Sequence, residues 1–197
     1  MKLSECKIIF VSICLIGVLL IASPVLIEAM HLPGGEVFSE LFLLGPENMA
    51  QDIPFNVVSG HKYLVNLGVG NHMDAATFYV CAVKLRNQTE PFPNSTSQTA
   101  SSLPTLYTHY FVVKNGENSI APLIFSISAD SPTNDVTVLR SITINDVECN
   151  VDKFAQYDPD NDGYYYQLFV ELWAYNPSTE ITQYQNRWVY FWFNVTS

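Results

Sequence analysis

The stretch Lys62-Tyr63-Leu64-Val65-Asn66-Leu67-Gly68-Val69 sets Tyr63, Val65, Leu67 and Val69 in one phase and Asn66 and Gly68 in the other. Successive side chains of a strand point to opposite faces, so this alternation predicts a strand with one row in a core. The same period returns on both sides of it. Val37 to Leu44 precedes it, and Thr77 to Leu85 follows with Tyr79, Cys81, Val83 and Leu85 in phase. Further along come Leu106 to Lys114, Ile120 to Ser128, Val136 to Ile144, Tyr164 to Tyr175 and Arg187 to Val195. Pro54-Phe55-Asn56 through Ser59-Gly60 reads as an edge strand and a tight turn, because proline cannot serve an inner ladder. Asn115-Gly116 and the Asp130 to Asp135 cluster punctuate the strands. Helical periodicity is nearly absent beyond Ala29. Roughly eight or nine short strands with polar turns predict an all-β domain, an immunoglobulin-like antiparallel β-sandwich. A closed barrel is the alternative that periodicity does not separate from it.

Ahead of this domain, Ile8 to Ile27 carries no charge. A helix of about 20 residues rises about 30 Å, enough to cross the hydrocarbon core of a bilayer. Lys2 and Lys7 precede the run and Glu28 follows it, so the positive-inside rule sets the amino terminus in the cytoplasm and the rest outside. The organisation expected is a cytoplasmic start and transmembrane signal-anchor helix over residues 1–29, a linker over 30–36, and an extracellular domain over 37–197. The bilayer, met through residues 8–28, is then the first partner. A cleaved signal peptide is the competing reading, with Ile27-Glu28-Ala29 as a poor small-x-small site. Signal cores are shorter, about 7–15 residues, which favours the anchor.

Composition narrows the partners. Nineteen acidic residues against nine basic ones give a net charge of −10, which disfavours nucleic acid and anionic headgroups. With 48% hydrophobic and 14% charged residues the chain has the means to build a core. Cys81 and Cys149 are the only cysteines beyond the anchor region. In an exported domain they are expected to form a disulfide, with two free thiols as the alternative. Three sequons are expected to carry glycans: Asn87-Gln88-Thr89, Asn94-Ser95-Thr96 and Asn194-Val195-Thr196. Two of them fall in the loop from Arg86 to Thr105, which is rich in Asn, Pro, Ser and Thr and shows no periodicity.

Three segments carry a resemblance. The first is Phe38-Ser39-Glu40-Leu41-Phe42-Leu43-Leu44-Gly45-Pro46. The second runs from Ile53-Pro54-Phe55-Asn56-Val57-Val58-Ser59-Gly60 into Tyr63 to Val69 and on through Gly70-Asn71-His72. The third is Phe169-Val170-Glu171-Leu172 with Tyr184-Gln185-Asn186-Arg187-Trp188-Val189. Together they resemble the extracytoplasmic domain of a mostly archaeal family, domain of unknown function 1616 (DUF1616), over most of Val37 to Val195. The opening and the Gly-Val-Gly-Asn-His segment are the most specific parts. The resemblance implies a membrane-attached immunoglobulin-like β domain outside the cell, and no activity. Family members often carry several membrane helices before the domain, whereas one is predicted here. The Arg86 to Thr105 loop and the acidic stretch from Asp158 to Asp162 look like additions.

Two clusters invite chemistry. Asp158-Pro159-Asp160-Asn161-Asp162-Gly163 has alternate carboxylates and a closing glycine, the form of a calcium loop, with Asp158, Asp160 and Asp162 as the expected ligands. Phe169 stands where a closing Glu belongs, so a solvated acidic turn is the competing reading. The last strand sets Trp188, Tyr190 and Trp192 in one phase, a stripe suited to stacking on sugars or docking a partner. The competing reading is a covered face, with the long loop as its cover. His31, His61, His72 and His109 show no metal-ligand spacing. No Gly-x-Ser-x-Gly elbow, His-Glu-x-x-His helix or phosphate-cradling loop is present. The expectation is therefore a non-enzymatic envelope module that meets a protein or glycan, with a calcium-assisted carbohydrate-binding module as the alternative. Calcium is the one cofactor in view.

Overall fold

The structure, a computed structural model, describes residues 13, 14, 16–18 and 37–196. Ile13, Cys14, Ile16, Gly17 and Val18 are helical. The rest of the predicted membrane run lies outside the described residues, as does the 30–36 linker. Among the described residues no helix is long and apolar enough to cross a membrane.

The unit from Phe38 onward is all-β. Its strands in chain order are β1 (Phe38–Leu44), β2 (Asn56–Val58), β3 (Tyr63–His72), β4 (Thr77–Asn87), β5 (Tyr107–Val113), β6 (Asn118–Ala129), β7 (Val136–Ile144), β8 (Val147–Gln156), β9 (Tyr165–Asn176) and β10 (Ile181–Thr196). They form two five-stranded sheets, ordered β1-β3-β6-β7-β8 and β2-β10-β9-β4-β5. Neighbours run antiparallel except β2, which lies parallel to β10 at an edge. The Pro54–Gly60 segment thus supplies the edge strand and turn expected of it.

Period-two alternation decides what each sheet contributes to the core. From the first sheet come Val65, Leu67, Val69, Leu123, Phe125, Ile142 and Ile144; from the second, Val83, Leu85, Leu168, Val170, Phe191 and Phe193. Phe125 meets Phe191 at 5.7 Å and Phe193 at 6.2 Å between ring centres, which ties the two sheets at one end. Two buried tyrosines tie them through hydrogen bonds as well as area. Tyr166 of β9 donates to the Lys153 carbonyl of β8 at 2.9 Å, and Tyr79 of β4 lies 2.7 Å from the Ser39 hydroxyl of β1. A buried hydroxyl left without such a partner costs about 1–3 kcal/mol, so these bonds fix how the sheets face each other.

Two features depart from the sequence reading. β8 is not foreseen by the sequence reading, because Lys153 interrupts the inward row of Cys149, Val151 and Ala155, and Glu148 and Asp152 make the rest of the segment polar. It survives as an edge strand, joined to β7 by Asn145 and Asp146, both at positive φ (45° and 65°). Such a turn is favoured by Asn and Asp and matches the twist of a hairpin. β10 also begins earlier than Arg187, at Ile181, with a bulge between Tyr184 and Trp188.

The expected bridge between Cys81 and Cys149 is not made; both thiols are free. Cys81 sits fully buried in the second sheet, while Cys149 lies on β8 of the first and directs its Sγ to the Leu106 carbonyl at 3.1 Å. Apolar enclosure pushes the Cys81 thiol up to about 12, so it behaves as a small hydrophobe.

Candidate functional site

The outward phase of β10 is Trp188, Tyr190, Trp192 and Asn194, since Phe191, Phe193 and Val195 are buried. Strand register lays these residues in rows across the sheet. Tyr190 stands beside Phe169 and Lys84, Trp192 beside Gln167 and Arg86, and Trp188 beside Glu171 and Ala82. The tryptophan face is therefore the outer face of the second sheet.

The long loop covers part of it, as the competing sequence reading had it. Phe92 packs edge-on against Phe169, Trp188 and Tyr190 at 5.5, 5.5 and 5.3 Å. The Arg86 guanidinium lies 5.2 Å from the Phe92 ring and 5.5 Å from Trp192, a cation between two π faces. Beneath the loop, Lys84 Nζ sits 2.9 Å from Glu171 Oε2 with side chains 6% and 0% exposed. Nζ donates to the Ser101 carbonyl at 2.7 Å, and the Ser101 amide donates to Glu171 Oε1 at 2.6 Å. Charges this deeply buried need partners, and the loop backbone provides them. Lys153 bonds Glu90 as a second anchor. Tyr184 is pushed up to about 12 by burial and then by the Glu171 charge, so it stays neutral there.

Where the loop stops, a cleft of about 320 Å³ opens, lined by Phe55, Gln88, Asp158, Asn161, Tyr165 and Trp192. The acidic turn and the tryptophan stripe, far apart in sequence, meet in it. Phe55 and Tyr165 stand 6.0 Å apart at ring centres. The turn closes on itself: Asp158 Oδ1 accepts from the amides of Asp160 (3.0 Å) and Asn161 (3.3 Å), and Oδ2 from Asn161 Nδ2 at 2.8 Å. The Asn161 side chain, more than the backbone amides, holds the Asp158 carboxyl below its ordinary value.

The three carboxylates named by the calcium expectation do not converge in this arrangement. Asp158 is engaged in its own turn, Asp162 accepts the Tyr157 hydroxyl, and Asp160 is exposed. Among the described residues no group of three or more His, Cys, Asp or Glu is placed to hold a metal. The physical reason is that Asx-type bonds satisfy the carboxylates locally, so they do not converge.

The sequons divide similarly. Asn94 is exposed, and its Oδ1 accepts from the amides of Thr96 (2.9 Å) and Ser97 (3.1 Å). Asn87 contradicts the expectation of a glycan: it is 7% exposed and its Nδ2, the atom a glycan needs, donates to the Phe154 carbonyl at 3.0 Å. Asn194 is half-buried, its Oδ1 accepting the Tyr164 amide at 2.9 Å and leaning on Gly163, where an added Cβ meets it at 2.5 Å. Sequence reasoning missed Phe55, Gln88, Tyr165, Phe92 and the Lys84–Glu171 pair. For the last, the signal was a single opposite charge inside each of two apolar strands.

The segments that carried the resemblance are partners in space. Phe38 pairs with His72, Ser39 with Asn71, Glu40 with Gly70 and Phe42 with Gly68. The Phe42 ring occupies the volume a Cβ on Gly68 needs, 2.0 Å away, which is why glycine stands there. Asn71 is fully buried and bonded on both sides, Nδ2 to the carbonyls of Ala75 and Val113 and Oδ1 from Tyr79 and the Met73 amide. The family model for domain of unknown function DUF1616 matches residues 32–139, more than half of the chain. The chain belongs to the DUF1616 family. In this DUF1616 protein the matched stretch contains Phe55 and Gln88, while Asp158, Asn161, Tyr165 and Trp192 of the cleft lie beyond it.

No curated protein matches the chain. Among solved structures it is similar to a β-glucosidase from Listeria innocua in complex with gluconolactone, at 15% identity and a TM-score of 0.42, over 83% of this chain and 17% of that one. A β-glucosidase from Erythrobacter marinus is similar at 13% identity and a TM-score of 0.34, over 80% of this chain and 16% of that one. This chain thus spans about a sixth of either enzyme, and likeness of that degree says nothing of its activity.

Proposed function

We propose that this DUF1616 protein is a membrane-anchored, non-catalytic interaction module of the cell envelope, with residues 37–197 as an extracellular immunoglobulin-like sandwich. The uncharged Ile8–Ile27 run after Lys2 and Lys7 supports the anchor and its orientation. The observation that carries the interaction reading is the aromatic cleft where Phe55, Tyr165 and Trp192 meet Gln88, Asp158 and Asn161. Its chemistry favours binding over turnover. One carboxylate lines it, held ionised by its own turn, whereas glycosidic hydrolysis generally uses two.

The same cleft favours a glycan as ligand, without calcium. Aromatic faces suit the C–H surfaces of a sugar, while amides and a carboxylate accept and donate to its hydroxyls. Tryptophan fluorescence of the full chain in detergent, titrated with neutral oligosaccharides, tests this. Saturable quenching that Trp192→Ala abolishes supports glycan binding. Unchanged emission across a panel that includes the cell's own surface glycans removes it. Protease added to intact cells tests the topology, and a domain cut only after lysis refutes the exported orientation.

A further inference from the structure

The four sheet edges formed by the described strands are not alike. β1 carries Glu40, β8 carries Glu148, Asp152 and Lys153 beside the bulge at Arg140, and β2 is three residues long. Charge, bulges and shortness are the devices by which edges resist pairing with other chains. β5 has none of them. Tyr107–Val113 contains no charge and no proline, and its register with β4 runs unbroken from Val113 opposite Thr77 to Tyr107 opposite Val83. Among the described residues, no backbone group from Tyr107 to Val112 bonds outside the β4 ladder.

The face beside this edge is apolar and open. Tyr110 is 60% and Val112 71% exposed, and Phe78 stacks on Tyr110 at 5.7 Å. A shallow groove of about 440 Å³ runs from Phe78 and Tyr110 to Val80 and Trp173. In a chain of net charge −10, most contacts between copies meet repulsion. β5 escapes it. Laid antiparallel on itself about Tyr110, the strand sets Tyr107 opposite Val113, Thr108 opposite Val112 and His109 opposite Phe111, so no like charges face each other. Burial lowers the His109 pKa and keeps that ring neutral near pH 7.

We propose that two copies of this chain associate by pairing their β5 strands antiparallel about a two-fold axis, joining their second sheets into one continuous sheet. The contact is self-complementary, as a closed two-fold interface requires, and the joined outer faces share the Phe78–Tyr110–Val112 surface.

Light scattering on the full chain in detergent micelles, with the micelle mass subtracted, is the test. The native chain is expected at twice the monomer mass, and T108K/V112K at the monomer mass, with dimer affinity lowered by roughly tenfold or more as like charges face across the pair. An equimolar mixture of T108K/V112K with T108E/V112E is expected to restore the dimer, a recovery misfolded variants do not give. Tyr110→Cys, on the axis, is expected to cross-link to itself under oxidation, and Ile120→Cys is not. A monomeric native chain overturns the proposal. So does a dimer indifferent to T108K/V112K, or a mixture that stays monomeric; capture of an added extended peptide by a monomeric chain overturns it in favour of a foreign strand.

Discussion

The outer face of the second sheet is split between a half that the chain covers itself and a half it leaves bare. Under the 88–105 loop, Phe92 seals Trp188 and Phe169, and Ser101 bonds both Lys84 Nζ and Glu171 Oε1 of the buried pair, while Glu171 Oε2 has only the charge of Lys84 beside it. Toward β5 the same sheet offers Phe78, Tyr110 and Val112 to solvent with no charge among them. The contrast teaches that cover, rather than strand composition, decides where ions can be buried. Glu171 tolerates full burial because a backbone amide and an ammonium reach it; among the described residues nothing comparable lies over Val112.

Glu171→Gln strikes the covered half hardest. It leaves the Lys84 ammonium buried without a counter-charge, and unfolding followed by tryptophan fluorescence is expected to show a loss of about 3–5 kcal/mol. A loss under about 1 kcal/mol means that water already reaches the pair. Phe92→Ala comes next, at about 2 kcal/mol for a half-buried ring that touches three others. Limited proteolysis within 88–105 is expected to quicken with it, and unchanged cleavage breaks the claim that Phe92 fastens the loop.

Behind the bare half, Cys81 sharpens the comparison through pH. Its folded thiol titrates at about 12 against an ordinary 9.0. Between those values the unfolded thiol has lost its proton and the folded one has kept it, so stability falls as pH rises. The slope approaches about 1.4 kcal/mol per pH unit from this group, and buried Tyr166, also raised, adds in the same sense at higher pH. Cys81→Ala is expected to remove its share; an alkaline limb unchanged by that substitution assigns the slope elsewhere. The smallest effect belongs to Phe78→Ala on the bare face, about 0.5 kcal/mol in unfolding of dilute protein. A value near that of Phe92→Ala means that the bare half is covered after all.

Much of this was legible beforehand, and the failures have physical causes. Tyr63, Val65, Leu67 and Val69 announced β3, and the same alternation announced the phase of Phe191 and Phe193 against Trp188 and Trp192. β8 was hidden because an edge strand has one demanding face, and Lys153 occupies even that one. The cleft was half legible: the acidic turn and the tryptophan stripe were each visible, but their meeting depends on Asn194 pairing with Tyr165 across β9 and β10. The calcium reading could not foresee the local bonds of the turn, which residue spacing does not express: Asn161 Nδ2 donates to Asp158 Oδ2 and the carboxylates do not converge. The bridge expected on compartment grounds is not formed: both thiols are free, Cys81 in its apolar enclosure and Cys149 with its Sγ toward the Leu106 carbonyl.

β1 is the first of the described strands in chain order, and it is an edge. All seven of its residues pair with β3, the Phe42 ring is seated on Gly68, and Ser39 reaches across to Tyr79 of the other sheet. Tension entering at Val37 therefore loads this strand before any other part of the fold. The Ser39–Tyr79–Asn71 knot places a buried polar contact of β1 one residue from its start, so a pull on that end of the strand is met by a clasp rather than by a fraying end.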